Sequence, residues 1–429
     1  MENVDICIRG NGIVGSTLAL LLSRLNLRVA LIGNFQAAKL PDIRAYAINA
    51  KSKSILESIH AWPTEPSCTE VQQIRVSSDE GELIEFAHEL MGSNAAAPLS
   101  WIVEVDALEA ELAKALKLSS VQCVPYSASL ESSSESSSKR SPSRANSSLS
   151  HLSTVPAPLT VICEGSSTRV LGKENLNTYI NTHTKRTPYH QFALATHVTF
   201  KNPDQKHWGI AHQWFNSFNN APAASVPPES QKEFEILALL PIGGSSGNTF
   251  AVVWSTSEKR NHELALLSDA ELTQALAQSS KNVFPDLVAV SARQSWPLAL
   301  SSAAAWCGRS SAKESWVLCG DSAHSVHPLS GMGLNLGLGD AYALYELLHT
   351  REKEHLTWRP LSELRLLRSY ERQRKLAILP YVQFIDKIQL LFASGYPIAK
   401  LIRNQGFKAF NALGGLKEWT IKKAMQANF

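Results

Sequence analysis

The chain has 429 residues, 44% hydrophobic and 18% charged, with a net charge of +3. Those values exclude fibrous, collagen-like and wholly disordered classes, and they exclude nucleic-acid binding by bulk electrostatics. Six cysteines lie far apart with no CxxC pair, so reduced thiols are expected. The opening MENVD lacks a basic leader, and no run reaches the roughly 18 apolar residues of a spanning helix. A cytoplasmic protein is expected, meeting a membrane only from outside.

In chain order, residues 4–8 read as a short buried strand, 13–25 as an apolar helix and 29–32 as a second strand. Together they form the βαβ unit of a parallel sheet. Residues 52–59 predict a helix, 71–76 and 83–87 a hairpin turning at Asp79, Glu80 and Gly81, and 101–118 another helix. Between 127 and 153, 14 of 27 residues are serine, too polar to bury themselves, so this segment reads as a flexible surface insertion. Phosphorylation or partner binding there is the alternative.

A strand resumes at 159–163, and alternating runs such as 192–200 and 250–255 predict an antiparallel second domain over 189–255, inserted into the first. Residues 316–319 form a buried strand closed by Gly320 and Asp321, 334–349 repeat at helical spacing, and the last 70 residues read as helical. Within 400–429, Lys400, Arg403, Lys408, Lys417, Lys422 and Lys423 face the single Glu418 and interleave with apolar residues. Two readings fit that pattern: an amphipathic helix packed on its own domain, or one lying on an anionic membrane surface.

Two segments carry chemistry. Gly10-Asn11-Gly12-Ile13-Val14-Gly15 is a GxGxxG between a predicted strand and helix. Its glycines permit a tight turn, backbone approach to a pyrophosphate and close helix packing, and the helix N-terminus offers free N–H groups. A purely structural turn is the alternative. The acid that usually ends the second strand and holds a ribose is missing, because the chain reads Gly33-Asn34. The second segment, WVLCGDSAHSVHPLSGMGLNLGLGD at 316–340, runs from a strand through a proline-containing loop to a glycine-rich helix start. Asp321 there can accept hydrogen bonds from sugar-type hydroxyls, or cap a turn. His324 and His327 are three apart but lack the further ligands of a metal site, and neither G-x-S-x-G nor H-E-x-x-H occurs.

The 316–340 block closely resembles the ribityl-binding motif of class A flavin monooxygenases, and HPLSGMGLNLGLGDAYAL is most similar to the ubiquinone-biosynthesis FAD-dependent hydroxylase family. Other stretches fall in the same order. Residues 42–48, DIRAYAI, resemble a D-x-R-x-x-A-L segment whose arginine, Arg44 here, lies near the flavin. Residues 101–104 with Leu108 and Leu112, 239–241, 253–255, 369–372 and 416–425 resemble later segments. The chain departs from the pattern at Asp106 and Glu109, which stand for Arg and Gln, at Glu164, which stands for Asp, and at Met332, which stands for Gln. Exchanging Arg for Asp near a pyrophosphate removes an attraction and adds a repulsion.

The resemblance implies an α/β aromatic-hydroxylase fold. Its parts are a Rossmann-like (GR2-type) FAD-binding domain over 1–70, 97–186 and 290–350, an inserted antiparallel-sheet substrate domain over 71–96 and 187–289, and a C-terminal helical region over 351–429. It implies FAD held by Gly10, Gly12, Ile13, Val14, Gly15, Arg44, Asp321, Gly331, Gly333, Leu334 and Asn335. His327 and Pro328 would then lie in a flavin-facing catalytic loop, with no general base and no metal. The implied reaction hydroxylates an aromatic, polyprenylated intermediate of ubiquinone biosynthesis with O2 through a C4a-hydroperoxide, drawing electrons from an external donor such as NAD(P)H. The implied surroundings are the inner membrane face and a quinone-biosynthesis complex, without nucleic acid. Two other readings stand beside it. One is a non-catalytic scaffold, motivated by Gly33, Asp106, Glu109 and Met332; the other is a nicotinamide dehydrogenase, which leaves the 316–340 block unexplained.

Overall fold

The computed structural model describes residues 4–35, 41–78, 82–87, 98–125, 155–165, 184–200, 208–219, 232–244, 247–284, 286–289, 292–327 and 331–393. The serine-rich segment 127–153, the turn at 79–81, Pro328 and the basic tail 400–429 lie outside the described residues.

The fully buried run Ile6–Arg9 pairs in parallel with Val29–Gly33 on one side and Leu159–Ile162 on the other. Ser315–Leu318 extends that sheet in parallel, Cys307–Arg309 closes one edge antiparallel, and Gln122–Pro125 closes the other. Such strands have no polar face because both sides are covered. Ile6, Ile8, Leu31 and Val161 meet the helices Ile13–Leu22, Val105–Lys117 and Gly333–Lys353 in one core. Cys7, Ala30 and Ile32 on the opposite face meet Val155 and Ala157.

A nine-stranded, largely antiparallel sheet is built around Thr184–Phe200, Ile210–Asn219, Lys232–Ile242, Thr249–Ser257 and Gln294–Ala303. The architecture is therefore mixed α/β, with a parallel cofactor-type sheet beside a large antiparallel one. Alternation divides the antiparallel sheet's faces. Leu194, Trp214, Leu237 and Trp254 bury against helices Glu258–Leu266 and Asp269–Ser279, the latter opened by a reciprocal capping box of Ser268 and Glu271. The other face turns toward a three-stranded sheet of Ala45–Ile48, Ser100–Glu104 and Cys68–Val71, where Ala211, Ile242 and Ala251 share a core with Ala45 and Ile102.

Two expectations need correction. The helix over 101–118 starts only at Val105, because Ser100–Glu104 is a strand paired on both sides, with Ala45–Ile48 and Cys68–Val71. Trp101, Ile102 and Val103 are β-branched or aromatic and bury on both faces, which periodicity cannot distinguish from the first turn of a buried helix. The strand over 71–76 is also two strands: the chain breaks at Gln72, Cys68–Val71 joins the three-stranded sheet, and Gln73–Ser77 joins the nine-stranded one. Finally, helix Leu364–Ala393 packs against Gly333–Lys353 and Cys307–Arg309 and also reaches strands Ile210–Asn219 and Lys232–Ile242. It spans both sheets.

Candidate active site

The three glycines of the first motif do three different things. Gly10 has φ +101, and a Cβ on it would lie 2.8 Å from the Cys163 carbonyl. A Cβ on Gly15 would lie 1.9 Å from the Gly10 oxygen, so this residue lets the helix seat on the turn. Gly12, the N-cap of helix Ile13–Leu22, faces space with nothing within 4 Å of a Cβ, and its cap makes no side-chain hydrogen bond. An open cradle over free helix N–H groups suits a pyrophosphate. Ile13 is buried in the core, and Val14 packs between Gly320 and Gly337. That contact fixes the start of the first helix against both the Asp321 turn and helix Gly333–Lys353.

Where the ribose-binding acid is missing, Asn11 has taken the space. Its Nδ2 donates to the Asn34 carbonyl at 2.7 Å, and its Oδ1 accepts the Asn34 N–H at 3.1 Å. A Cβ at Gly33 would lie 2.2 Å from that Oδ1, so Gly33 is required by this pairing. Glu164 is likewise accounted for. Its longer arm reaches Arg9 across the strand tips, Oε1 to Nε 3.1 Å, with both side chains buried.

Asp321 follows Gly320, whose φ of +66 turns the chain out of its strand. The Asp321 side chain is solvent-exposed, 3.9 Å from a Cβ position on Gly165, and makes no hydrogen bond to any described residue. Protein packed around it pushes its pKa up, partly offset by His324 and Arg44. It is a solvent-reachable acceptor held in a crevice, as ribityl hydroxyls require. Behind it, fully buried Asp340 accepts the Gly320 N–H at 2.9 Å and His324 Nε2 at 2.7 Å on one oxygen, and Arg374 Nε at 2.6 Å on the other. Burial works to raise the Asp340 pKa, but His324 and Arg374 overcome it and hold the carboxyl below its ordinary value.

Arg44 stands across the crevice. Its Nε donates to Asp42 at 2.8 Å, and that bond is the largest contribution raising its pKa. Between Arg44 and Asp321 lies Tyr46: burial raises its phenol pKa, Arg44 opposes the rise and Asp321 adds to it. Asp106 is tied to the backbone of the Arg44 segment, where it accepts the Asp42 N–H at 3.0 and 3.1 Å. Burial pushes the Glu109 pKa up, with Asp42 adding to the rise.

Gly331 (φ +63) lies against Ala47, its Cβ position 3.2 Å from the Ala47 Cβ, whereas nothing lies closer than 4.0 Å to a Cβ on Gly333. Leu334 packs on the core. Buried Asn335 ties helix Gly333–Lys353 to the Arg44 strand, with Nδ2 donating to Ala47 at 2.7 Å and Oδ1 accepting the Asn49 N–H at 2.9 Å. His327 is buried, its Nε2 3.0 Å from Gln191 Oε1 and its ring edge-on to Tyr189. The structure thus brings these segments into one neighbourhood: Val14 packs against Gly320 and Gly337, Gly331 against Ala47, and Arg44 acts electrostatically on Asp321. Tyr46, Asn11, Gln191, Asp340 and Arg374 join them without having been singled out in the sequence. Asn11, Tyr46 and Asp340 lie inside segments the sequence does single out, 10–15, 42–48 and 316–340, whereas Gln191 and Arg374 carry no local signal.

Facing the crevice, the antiparallel sheet presents small side chains. Ala195 pairs with Val253, Val253 with Ala238, and in the next row Ala193 pairs with Ser255. All lie on the face opposite Leu194 and Trp254, a floor of small side chains in which Ala193, Ala195 and Ser255 are buried.

A family model described as FAD binding domain matches residues 3–384. The chain is 24% identical to the 3-demethoxyubiquinol 3-hydroxylase of Escherichia coli K12, with 99% of each covered. It is 27% identical over 215 residues to the mitochondrial ubiquinone biosynthesis monooxygenase COQ6 of Xenopus tropicalis, covering 42% of this chain and 44% of that one. Among solved structures, the p-nitrophenol 4-monooxygenase PnpA of Pseudomonas putida DLL-E4 superposes with a TM-score of 0.65 at 15% identity, covering 100% of this chain and 99% of that one, a likeness of fold.

Proposed function

The chain belongs to the FAD binding domain family, and from that premise we propose that it is an FAD-dependent monooxygenase that hydroxylates the aromatic ring of a quinone-biosynthesis intermediate. The observation that carries the reading is the pairing of open space over Gly12 with an exposed carboxylate on Asp321, joined through the packing of Val14 against Gly320. A nucleotide-linked flavin presents phosphate to the first and polyol hydroxyls to the second. The E. coli and Xenopus relatives, named for ubiquinone chemistry, support the substrate class.

When bound, FAD supplies two-electron redox chemistry and the activation of O2. The chain's own residues do the rest. The turn from Gly10 to Gly15 would hold the pyrophosphate on backbone N–H groups, Asp321 would accept the polyol hydroxyls, and Arg44 would supply positive charge. Helix Gly333–Lys353 starts beside Gly331 and directs its positive end into the crevice, favouring a reduced, anionic ring. The Ala193, Ala195, Ala238 and Val253 floor would seat the phenol and exclude water. We assign no general base. On the resemblance, His327 and Pro328 would face the ring. An external NAD(P)H donor, a polyprenyl tail on the substrate, and contact with a membrane face or biosynthetic complex complete the proposal.

The test is direct. The full-length chain, purified and reconstituted with FAD, should turn yellow and consume O2 and NAD(P)H faster when a prenylated phenol is added, releasing a hydroxylated product. A deletion strain should accumulate an under-hydroxylated quinone precursor. A colourless protein that takes up no FAD, or a deletion strain with normal quinone, overturns the assignment.

A further inference from the structure

The segment that carries Arg44 has no regular structure of its own between residue 41 and strand Ala45–Ile48. It hangs between two bodies. From helix Val105–Lys117, Asp106 holds the Asp42 N–H. From the antiparallel sheet, Gln294 Nε2 donates to the Pro41 carbonyl at 3.3 Å and His197 Nε2 meets the Ile43 carbonyl at 2.8 Å. A carbonyl only accepts, so that histidine nitrogen carries the proton. Arg44 itself is flanked by two rings, its guanidinium carbon 5.9 Å from the centroid of Tyr46 and 6.0 Å from that of Trp296. Trp296 pairs with Ala193 and so stands on the crevice-facing side of the sheet.

We propose that the antiparallel sheet positions Arg44 for FAD, with Trp296, His197 and Gln294 as positioning residues, so that the sheet forming the substrate floor also sets cofactor affinity. This rests on the FAD reading above. The physical reason is preorganisation. An unrestrained arginine has several rotatable bonds to freeze on binding an anion, whereas one already held by a ring face and a bidentate carboxylate has few. Asp106 then has a stated use: a charge that would oppose the pyrophosphate is committed to the backbone of the same segment.

The experiment titrates FAD into the apo full-length chain, following quenching of flavin fluorescence, for wild type, Trp296→Leu, Trp296→Phe, His197→Leu, His197→Gln and Arg44→Met, and for Trp296→Leu combined with Arg44→Met. Trp296→Leu should raise the FAD Kd by about 3- to 30-fold, the range of a ring–cation contact. Trp296→Phe should restore most of the loss. His197→Gln, which keeps a donor, should outperform His197→Leu. In the Arg44→Met background, Trp296→Leu should change nothing further. Equal binding by Trp296→Leu and wild type, or an undiminished effect without Arg44, overturns the proposal. If the leucine variants fail to fold, Gln294→Ala, which removes an exposed contact to the same segment, decides: a raised FAD Kd that disappears in the Arg44→Met background supports the proposal, and an unchanged Kd overturns it. A wild-type chain that takes up no FAD overturns the cofactor reading itself, a different failure visible in the first titration.

Discussion

His327 is the titratable side chain most displaced from water in the loop beside the crevice. Its Nε2 meets Gln191 Oε1, and the Gln191 amide is oriented by donating to the Phe234 carbonyl at 3.3 Å, so Nε2 is the donor toward Gln191. Burial pushes its pKa down from 6.5 to about 4. Between those values the unfolded chain binds a proton that the folded chain refuses, so stability falls as pH drops from 6.5 toward 4, by about 2–3 kcal/mol at the lower end. His327→Gln keeps a donor and removes the titration. Thermal melts at pH 7 and pH 4.5 should show a smaller acid loss for His327→Gln than for wild type; equal losses would locate the acid sensitivity elsewhere. Asp340 obeys the same sign in a more acidic window. Its folded pKa lies below 3.8, so its contribution is present above that value and is lost as pH falls through the lower folded one. Arg374→Met breaks a buried pair and should cost about 3–5 kcal/mol at pH 7. It also removes an attraction that holds the Asp340 pKa down, so the folded chain takes up that proton more readily and urea midpoints measured from pH 7 to pH 4 should fall less steeply than in wild type.

At the scale of elements, the glycine turn separates folding from binding. Gly15 abuts the Gly10 oxygen, with a Cβ position at 1.9 Å, and Gly12 abuts nothing. Gly15→Ala must push helix Ile13–Leu22 off the sheet and should destabilise by about 3 kcal/mol or more. Gly12→Ala should melt within about 1 kcal/mol of wild type yet lose FAD affinity at least tenfold, because the methyl occupies the cradle; fluorescence titration beside a melting curve distinguishes the two variants. This turn was legible in the sequence because its three constraints lie within six residues, and so was the strand ending at Gly320 and Asp321. What was not legible depends on distant pairing. Strand Ser100–Glu104 is a strand only because Ala45–Ile48 and Cys68–Val71 come to either side of it. The Arg9–Glu164 pair joins residues 155 apart, and the grip of Trp296 on Arg44 needs two sheets brought face to face. No local spacing encodes such contacts, so Glu164 and Asp106 appeared in the sequence only as departures from a pattern.

For the whole molecule, the crevice residues belong to no single sheet. The glycine turn and Asp321 come from the parallel sheet's strand ends, Arg44 from the three-stranded sheet, and its restraints from the antiparallel one. Helix Leu364–Ala393 and the His327–Gln191 bond tie the same bodies together. A ligand seated there therefore touches every unit, and its binding free energy should appear as stabilisation of one cooperative transition. FAD at 100 times its Kd adds about 2.7 kcal/mol, which for a chain of this length moves Tm by about 1–3 °C. Calorimetry should show a single endotherm that shifts upward with FAD in wild type and by about half as much or less in Gly12→Ala. Two endotherms, of which FAD moves only one, would mean that the antiparallel sheet unfolds on its own. The contacts of Trp296 and His197 with the Arg44 segment would then be too weak to carry coupling, since a restraint that sets cofactor affinity must by reciprocity be strengthened when the cofactor binds.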